Sequence, residues 1–437
     1  MKNLYIILLA GLFFTLTSCE VDPILNPNSP TVESFENGAT LADLKLLGSG
    51  LEAVIREDMQ FHFWTTSIVG REYYDLRGTD PRYTSELLGQ NGGDLDNNGF
   101  LTTRTYFGRY RSVRNAILLK TAVANTAATL SSSQTNALLG FANTITAYEM
   151  MLEANRQFEN GLRIDVDDVN NLGPFASDYQ ATLSGIKGIL DEGFNQLSST
   201  SPEDMVFNLS GFSSIPASDT EAVTQWNRAL AARLAIYQND NAAALSALSG
   251  SFMNMDGDLN MGAKYTFGGN TGNDLANPLF YVPGVDNYMA HQSWIDDMEA
   301  GDTRINKVVD TGTPIILDGL GSQYQVALYG SNTDDASIIR NEELILIAAE
   351  ANIGSDNTAA VNAINIIRSA AGLGDYSGGM DDASVTDELL KQRRYSLFGE
   401  GHRWIDLRRY NRLDQLPLDR AGDKVHVQFP RPASEGG

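Results

Sequence analysis

The sequence predicts a mainly helical protein, and three observations predict it. Apolar side chains recur at i, i+3, i+4 and i+7 over several long segments. Two such segments are joined by only five residues, "IGSDN", which forces the helices to fold back on each other. Hydrophobic residues make up 42% of the chain and charged ones 20%, enough apolar surface to bury a large core.

The amino terminus departs from this pattern. "MKNLYIILLAGLFFTLTSC" has Lys2, then an apolar run from about residue 4 to residue 16, too short for a comfortable span and shaped like a secretory signal. Leu16-Thr17-Ser18-Cys19 resembles the bacterial lipobox, whose cysteine is acylated after cleavage. Residues 1–18 are therefore expected to be a lipoprotein signal peptide and Cys19 the lipidation site. Cys19 is the only cysteine, so an internal disulfide and a cysteine zinc site are excluded. Residues 19–34, with "EVDPILNPNSP", read as an acylated flexible tether. No later segment reaches eighteen apolar residues, so the only membrane contact expected is the lipid anchor. The formal net charge of -24 repels nucleic acid and other polyanions at long range.

By length alone residues 35–437 suit two or three domains, and one large domain is allowed. A helix is expected over 141–159, with Ile145, Tyr148 and Leu152 in phase. Glu149 and Glu153, one turn apart, read as its solvated face. The next helix, 221–238, aligns Trp226, Ala229, Leu230, Arg233, Leu234 and Tyr237. Ser218 and Glu221 fit a capping box before it. In 341–371, Leu344, Ile347, Ala348 and Ala351 form one stripe. Ala360, Ile364, Ile367 and Ala371 form the other, in the manner of a tetratricopeptide helix pair. Further on, Leu390, Arg394 and Phe398 share a face, and so do Trp404, Leu407 and Arg408. An arginine on a buried stripe needs a carboxylate, and Glu400 and Asp406 are at hand. The basic stretch "QRRYSLFGEGHRWIDLRRY" thus reads as structural ion pairs.

The segments "NEELILIAAEAN", "NAINIIRSAAGL" and "LLKQRRYSLFGEGHRWIDLRR", in this order, resemble the C-terminal half of SusD/RagB proteins. These are surface lipoproteins of Bacteroidetes that cap a TonB-dependent transporter. The pattern is carried by Arg394, Glu400, Gly401, His402, Arg403, Trp404, Asp406 and Leu407. Gln392 stands where the family usually has glutamate. The resemblance implies an all-α, single SusD-like domain with degenerate tetratricopeptide helix pairs and long decorating loops, with 341–410 the most diagnostic part. It implies an outer-membrane, cell-surface location and non-catalytic binding of oligosaccharides, delivered to a SusC-like transporter. No cofactor is implied. A surface glycoside hydrolase, or a peptide-binding member of the family, are the alternatives.

Two irregular, aromatic-rich segments are expected to carry the ligand: 59–83 and 254–296. A pyranose has an apolar face that lies on an aromatic ring and a hydroxyl rim that needs polar partners. Trp226 and Trp404 sit on helix stripes, which leaves Trp64 and Trp294 as the stacking platform, rimmed by Tyr288, Asn287, Tyr73 and Asp75. The acidic balance favours a neutral oligosaccharide or polysaccharide. "DLDNNG" copies the start of a calcium loop with Asp94, Asp96 and Asn98, but position twelve is Thr105 and an Asn/Gly turn is the simpler reading. His62, His291, His402 and His426 have no metal spacing.

Overall fold

Two reciprocal capping boxes fix where the first long helices begin. The computed structural model describes residues 32–168, 170–268 and 274–436, so Cys19, the signal segment and nearly all of the tether lie outside the described residues. After the short α1 (Val32–Glu36), Thr40 and Asp43 exchange hydrogen bonds at the start of α2 (Leu41–Val54). Then come α3 (Met59–Val69) and α4 (Phe100–Ala124). Ser131 and Gln134 form the second box and start α5 (Ser132–Gln157), nine residues before the periodicity alone predicts. α6 (Tyr179–Leu197), α7 (Asp219–Tyr237) and α8 (Asn241–Leu248) follow. Ser218 caps α7 by accepting from Glu221 N at 3.4 Å. From α4 to α8 each helix packs on its predecessor.

The C-terminal part adds α9 (Gln292–Asp296), α10 (Asn341–Asn352), α11 (Asn357–Ala370), α12 (Asp382–Ser396) and α13 (Arg403–Arg409). The fold is mainly helical, as expected. α10 and α11 pack across the connection at 353–356, where Gly354 takes φ +84°. α10 is buried nearly all round. Ile345, Leu346 and Ala349 meet Ala360, Ile364 and Ile367 of α11 and Val385 and Leu389 of α12 in a small core. The predicted stripe of Leu344, Ile347, Ala348 and Ala351 faces the large core instead.

Short strands were not part of the helical expectation. β1 (Tyr73–Asp75), β3 (Tyr288–Ala290), β5 (Leu320–Val326) and β4 (Val308–Leu317) form one antiparallel sheet in that order. β2 (Gly262–Tyr265) pairs with β6 (Ala336–Arg340). The β4–β5 hairpin turns at Asp318-Gly319, both at positive φ, the Asp-Gly signal of a two-residue turn. The segment 254–296 is therefore built into the fold: Tyr265, Phe267, Tyr281, Tyr288 and Trp294 are all buried.

Glu149 and Glu153 are not a solvated face. Both are fully buried in α5, paired with Arg109 and Arg156 at 3.0 Å. Burial raises the Glu149 carboxyl to about 7. The arginine stripe is displaced by one residue. Arg393, not Arg394, points inward and pairs with Asp406 at 2.7 Å. Arg394 reaches exposed Asp297. Glu400 is held by Arg340 at 2.8 Å, and Arg409 bridges Asp406 and Glu350. Arg408 donates to the carbonyls of Val427 and Asn155 while lying against the Trp404 ring. The basic stretch is thus largely internal ion pairing, with different partners from those expected.

Candidate functional site

The β1–β3 register sets Asp75 opposite Tyr288 and Tyr73 opposite Ala290, and α3 carries Trp64 to the same place. Trp64 stacks on Tyr288, centroids 5.5 Å apart and planes at 29°. Tyr288 stacks in turn on Tyr281 at 4.0 Å, and Trp64 Nε1 donates to the Tyr281 hydroxyl at 2.9 Å. Tyr73 meets Tyr288 edge-on at 6.0 Å. Five of the six predicted residues therefore share one neighbourhood, since Asn287 precedes Tyr288 and its carbonyl accepts from Leu76 N.

Trp294 does not join them. It is 0% exposed and packs against Phe398 at 4.5 Å and Tyr395 at 5.4 Å. The expected platform of two tryptophans does not form, because His291 caps α9 and turns Trp294 into the core. Trp64 lies on a helix, not a loop, and is partly buried. Tyr73, Tyr288 and Asp75 are also buried and support the surface from below. Only Trp64 and Asn287 of the predicted set reach solvent in part.

Three arginines complete this surface, and none of them was among the expected residues. Each pairs with an aspartate and covers an aromatic ring. Arg77 binds Asp75 through Nε and Nη2 at 2.9 and 2.7 Å and lies 4.3 Å over Tyr288. Arg82 grips Asp80 in the same way over Phe100. Arg104 pairs with Asp58 over Phe61. Such forks hold the guanidinium planes in fixed orientation. Burial opposes the Arg77 charge, yet its hydrogen bonds to Asp75 hold its pKa above the ordinary value. The Tyr83 hydroxyl is pushed up to about 12, first by burial and then by Asp75, and stays a donor at neutral pH.

Beyond Arg104 the surface opens into a cleft of about 640 Å³, bordered by Arg56, Asp58, Gln60, Phe107, Arg111 and Phe267. Phe107 is exposed. The repeated aromatic-to-arginine step on α4, Phe100 to Arg104 and Phe107 to Arg111, was the available signal. The arrangement offers ring edges, forked donors and paired carboxylates to a ligand with apolar faces and a polar rim.

Asp94, Asp96 and Asn98 form a turn. Asp96 accepts from Asn98 N at 2.9 Å, and Asp94 is exposed and pairs with Lys424. No group of three or more acidic, histidine or cysteine side chains placed to hold a metal occurs among the described residues.

A family model described as "SusD family" matches residues 289–432. Over that C-terminal third the chain is similar to the SusD family. Solved structures extend the likeness in fold along nearly the whole chain. A SusD superfamily protein from Bacteroides vulgatus ATCC 8482 superposes with TM-score 0.68 at 17% identity, covering 90% of this chain and 96% of its own. A laminarin binding SusD-like protein gives TM-score 0.64 at 17% identity, covering 91% and 97%. One from Bacteroides thetaiotaomicron VPI-5482 gives 0.64 at 16%, covering 91% and 97%. No curated protein matches the sequence. The model match begins inside β3, one residue after Tyr288, so it takes in neither Trp64, Tyr73, Asp75, Asn287 and Tyr288 nor the three arginines.

Proposed function

We propose that this protein, SusD-like in fold, binds a neutral oligosaccharide, without cleaving it, across the surface running from Trp64 past Arg77, Asn287 and Arg104 into the adjoining cleft. The partly exposed indole of Trp64, flanked by oriented guanidinium forks, carries the proposal. A sugar ring lies against the indole edge while its hydroxyls find the Arg–Asp pairs. The relatives described as laminarin binding and as sugar binding support the ligand class. Asp58, Asp75 and Asp80 are each tied to an arginine, which disfavours the free acid–base pair that glycoside hydrolysis needs. Acylation at Cys19 would hold the protein at the outer-membrane surface, where it would hand its ligand to a TonB-dependent transporter. No helix among the described residues is long and apolar enough to cross a membrane, so the lipid is the anchor in this proposal. Titrating the parent chain against a panel of neutral glycans, with product analysis, tests it. Binding with intact recovery is expected; shortened chains or no binder in the panel would overturn it.

A further inference from the structure

Among the arginines of the C-terminal helices, Arg403 has no hydrogen bond and no ion pair to any described residue. Its Nε is buried without a partner. Such a group is costly to keep charged. Burial, and then the neighbouring Arg394, push its pKa down to about 9. Glu72 acts on it through space without reaching hydrogen-bond distance. Glu72 is itself raised to about 7 by burial and is only partly ionised at neutral pH.

Arg403 lines a cleft of about 390 Å³ on the outer side of α12 and α13. Lys391, Arg394 and Arg412 line it too, with Asp297, Asp387 and Asp406 as the acids. Most of these charges are already matched. Arg394 pairs with Asp297 at 2.8 Å, Arg412 with Asp387 at 2.5 Å and Lys391 with Glu299 at 3.0 Å. Asp406 is taken from behind by Arg393 and Arg409. Arg403 is the charge left over, and Arg394 Nε beside it is also buried without a partner.

We propose that this cleft is a second binding site, distinct from the Trp64 surface, for a small hydroxylated monocarboxylate of the size of a single uronic acid. A carboxylate matches the planar guanidinium fork of Arg403 in two parallel hydrogen bonds. Asp297 and Asp387 at the rim accept from ligand hydroxyls and repel a dianion, which selects against phosphate and sulfate. Leu390, Tyr395 and Leu407 give an apolar wall for the ring. The volume falls in the range of small-molecule sites, roughly 300–1,000 Å³.

Sodium glucuronate is the probe, with glucose, sodium chloride and sodium sulfate at matched ionic strength as controls. Thermal melting and calorimetric titration are read on the full chain. Glucuronate alone should raise the melting temperature. Arg403→Gln should fold with an unchanged or higher melting temperature in the absence of ligand, because it breaks no bond, and should lose about tenfold in glucuronate affinity. Arg412→Gln, at the exposed rim, should fold normally and lose about threefold; it decides the matter if Arg403→Gln does not fold. Neutral-glycan binding should be the same in both variants, so failure here and failure at the Trp64 surface are separable. No shift with glucuronate, an equal shift with sulfate, or full affinity in Arg412→Gln and in any folded Arg403→Gln would overturn the site. A ligand-free Arg403→Gln destabilised as strongly as a broken buried pair would show the guanidinium to be structural, and would also overturn it.

Discussion

Arg393 and Asp406 meet inside the protein through two parallel hydrogen bonds, Nε to Oδ2 at 2.7 Å and Nη2 to Oδ1 at 3.1 Å. The pair joins α12 to α13 across the 397–402 break. Burial by itself would raise the Asp406 carboxyl, but Arg393 and then Arg409 outweigh it and hold the group down to about 2, against an ordinary 3.8. The folded-state value is depressed, so the stability it contributes is present above pH 4 or so and is lost as pH falls towards 2. Arg393→Ala should cost roughly 3–5 kcal/mol, the range for broken buried pairs. Denaturant melts at neutral pH check the cost, and acid titration checks the window. An unchanged midpoint would mean the pair is solvated.

Glu72 has the opposite sign. It is buried between α3 and β1, accepts from Gly399 N at 3.2 Å, and burial lifts it from 4.5 to about 7. Its folded-state value is raised, so the unfolded chain loses its proton first and stability falls as pH rises from about 4.5 to 7. Glu72→Gln keeps the acceptor and removes the charge. The variant should gain on the parent as pH rises from 5 to 8, by roughly 1–3 kcal/mol at the end of that range. Paired unfolding curves at the two pH values measure this. A constant difference between them would place the titration elsewhere.

The sequence reading and the structure part company at identifiable places. The α10–α11 pair was readable because its period is clean and its connection short. The choice of Arg394 over Arg393 is an error of one residue, about 100° of helix rotation. Leu390 and Phe398 mark the wrong stripe: Leu389, not Leu390, is fully buried, and Phe398, though buried, lies beyond the end of α12. Glu149 and Glu153 read as surface because charge normally means solvent. Of their partners, Arg109 comes from the preceding helix, which no local period marks, and Arg156 lies one turn on, at a spacing that is ordinarily a solvated i,i+3 pair. In the site, Trp64, Tyr73, Asp75 and Tyr288 were found together because each sits in an aromatic segment. Their sheet register and the Arg104–Asp58 pair depend on chain crossings that spacing does not encode, whereas the Asp75–Arg77 and Asp80–Arg82 forks each span only two residues.

Acylation at Cys19 predicts a clean fractionation result. The described residues begin at Val32, well after it. Cys19→Ala should move the protein from the membrane fraction to the soluble one, with an unchanged melting temperature. Retention on membranes after a high-salt wash would rule out the lipid as the sole anchor.

Trp64 and Trp294 should separate binding from stability. Trp64 is partly exposed, with its ring on Tyr288. Losing it removes the indole contact offered to a sugar, worth roughly 0.5–1.5 kcal/mol beyond the area it buries. Trp64→Ala should therefore weaken glycan affinity about tenfold or more, and because Tyr281 also loses its donor, a modest drop in melting temperature should accompany it. Trp294 is wholly buried between Phe398 and Tyr395. Trp294→Ala leaves a large cavity and should cost roughly 3–5 kcal/mol of stability, while the fraction that stays folded binds glycan with parental affinity. Calorimetry and thermal melts on the two single variants give all four numbers. If Trp294→Ala loses affinity in proportion to Trp64→Ala while remaining folded, the ligand surface extends to α9 and the core placement of Trp294 is wrong. If neither loses affinity for a glycan the parent binds, the site lies away from the Trp64 surface.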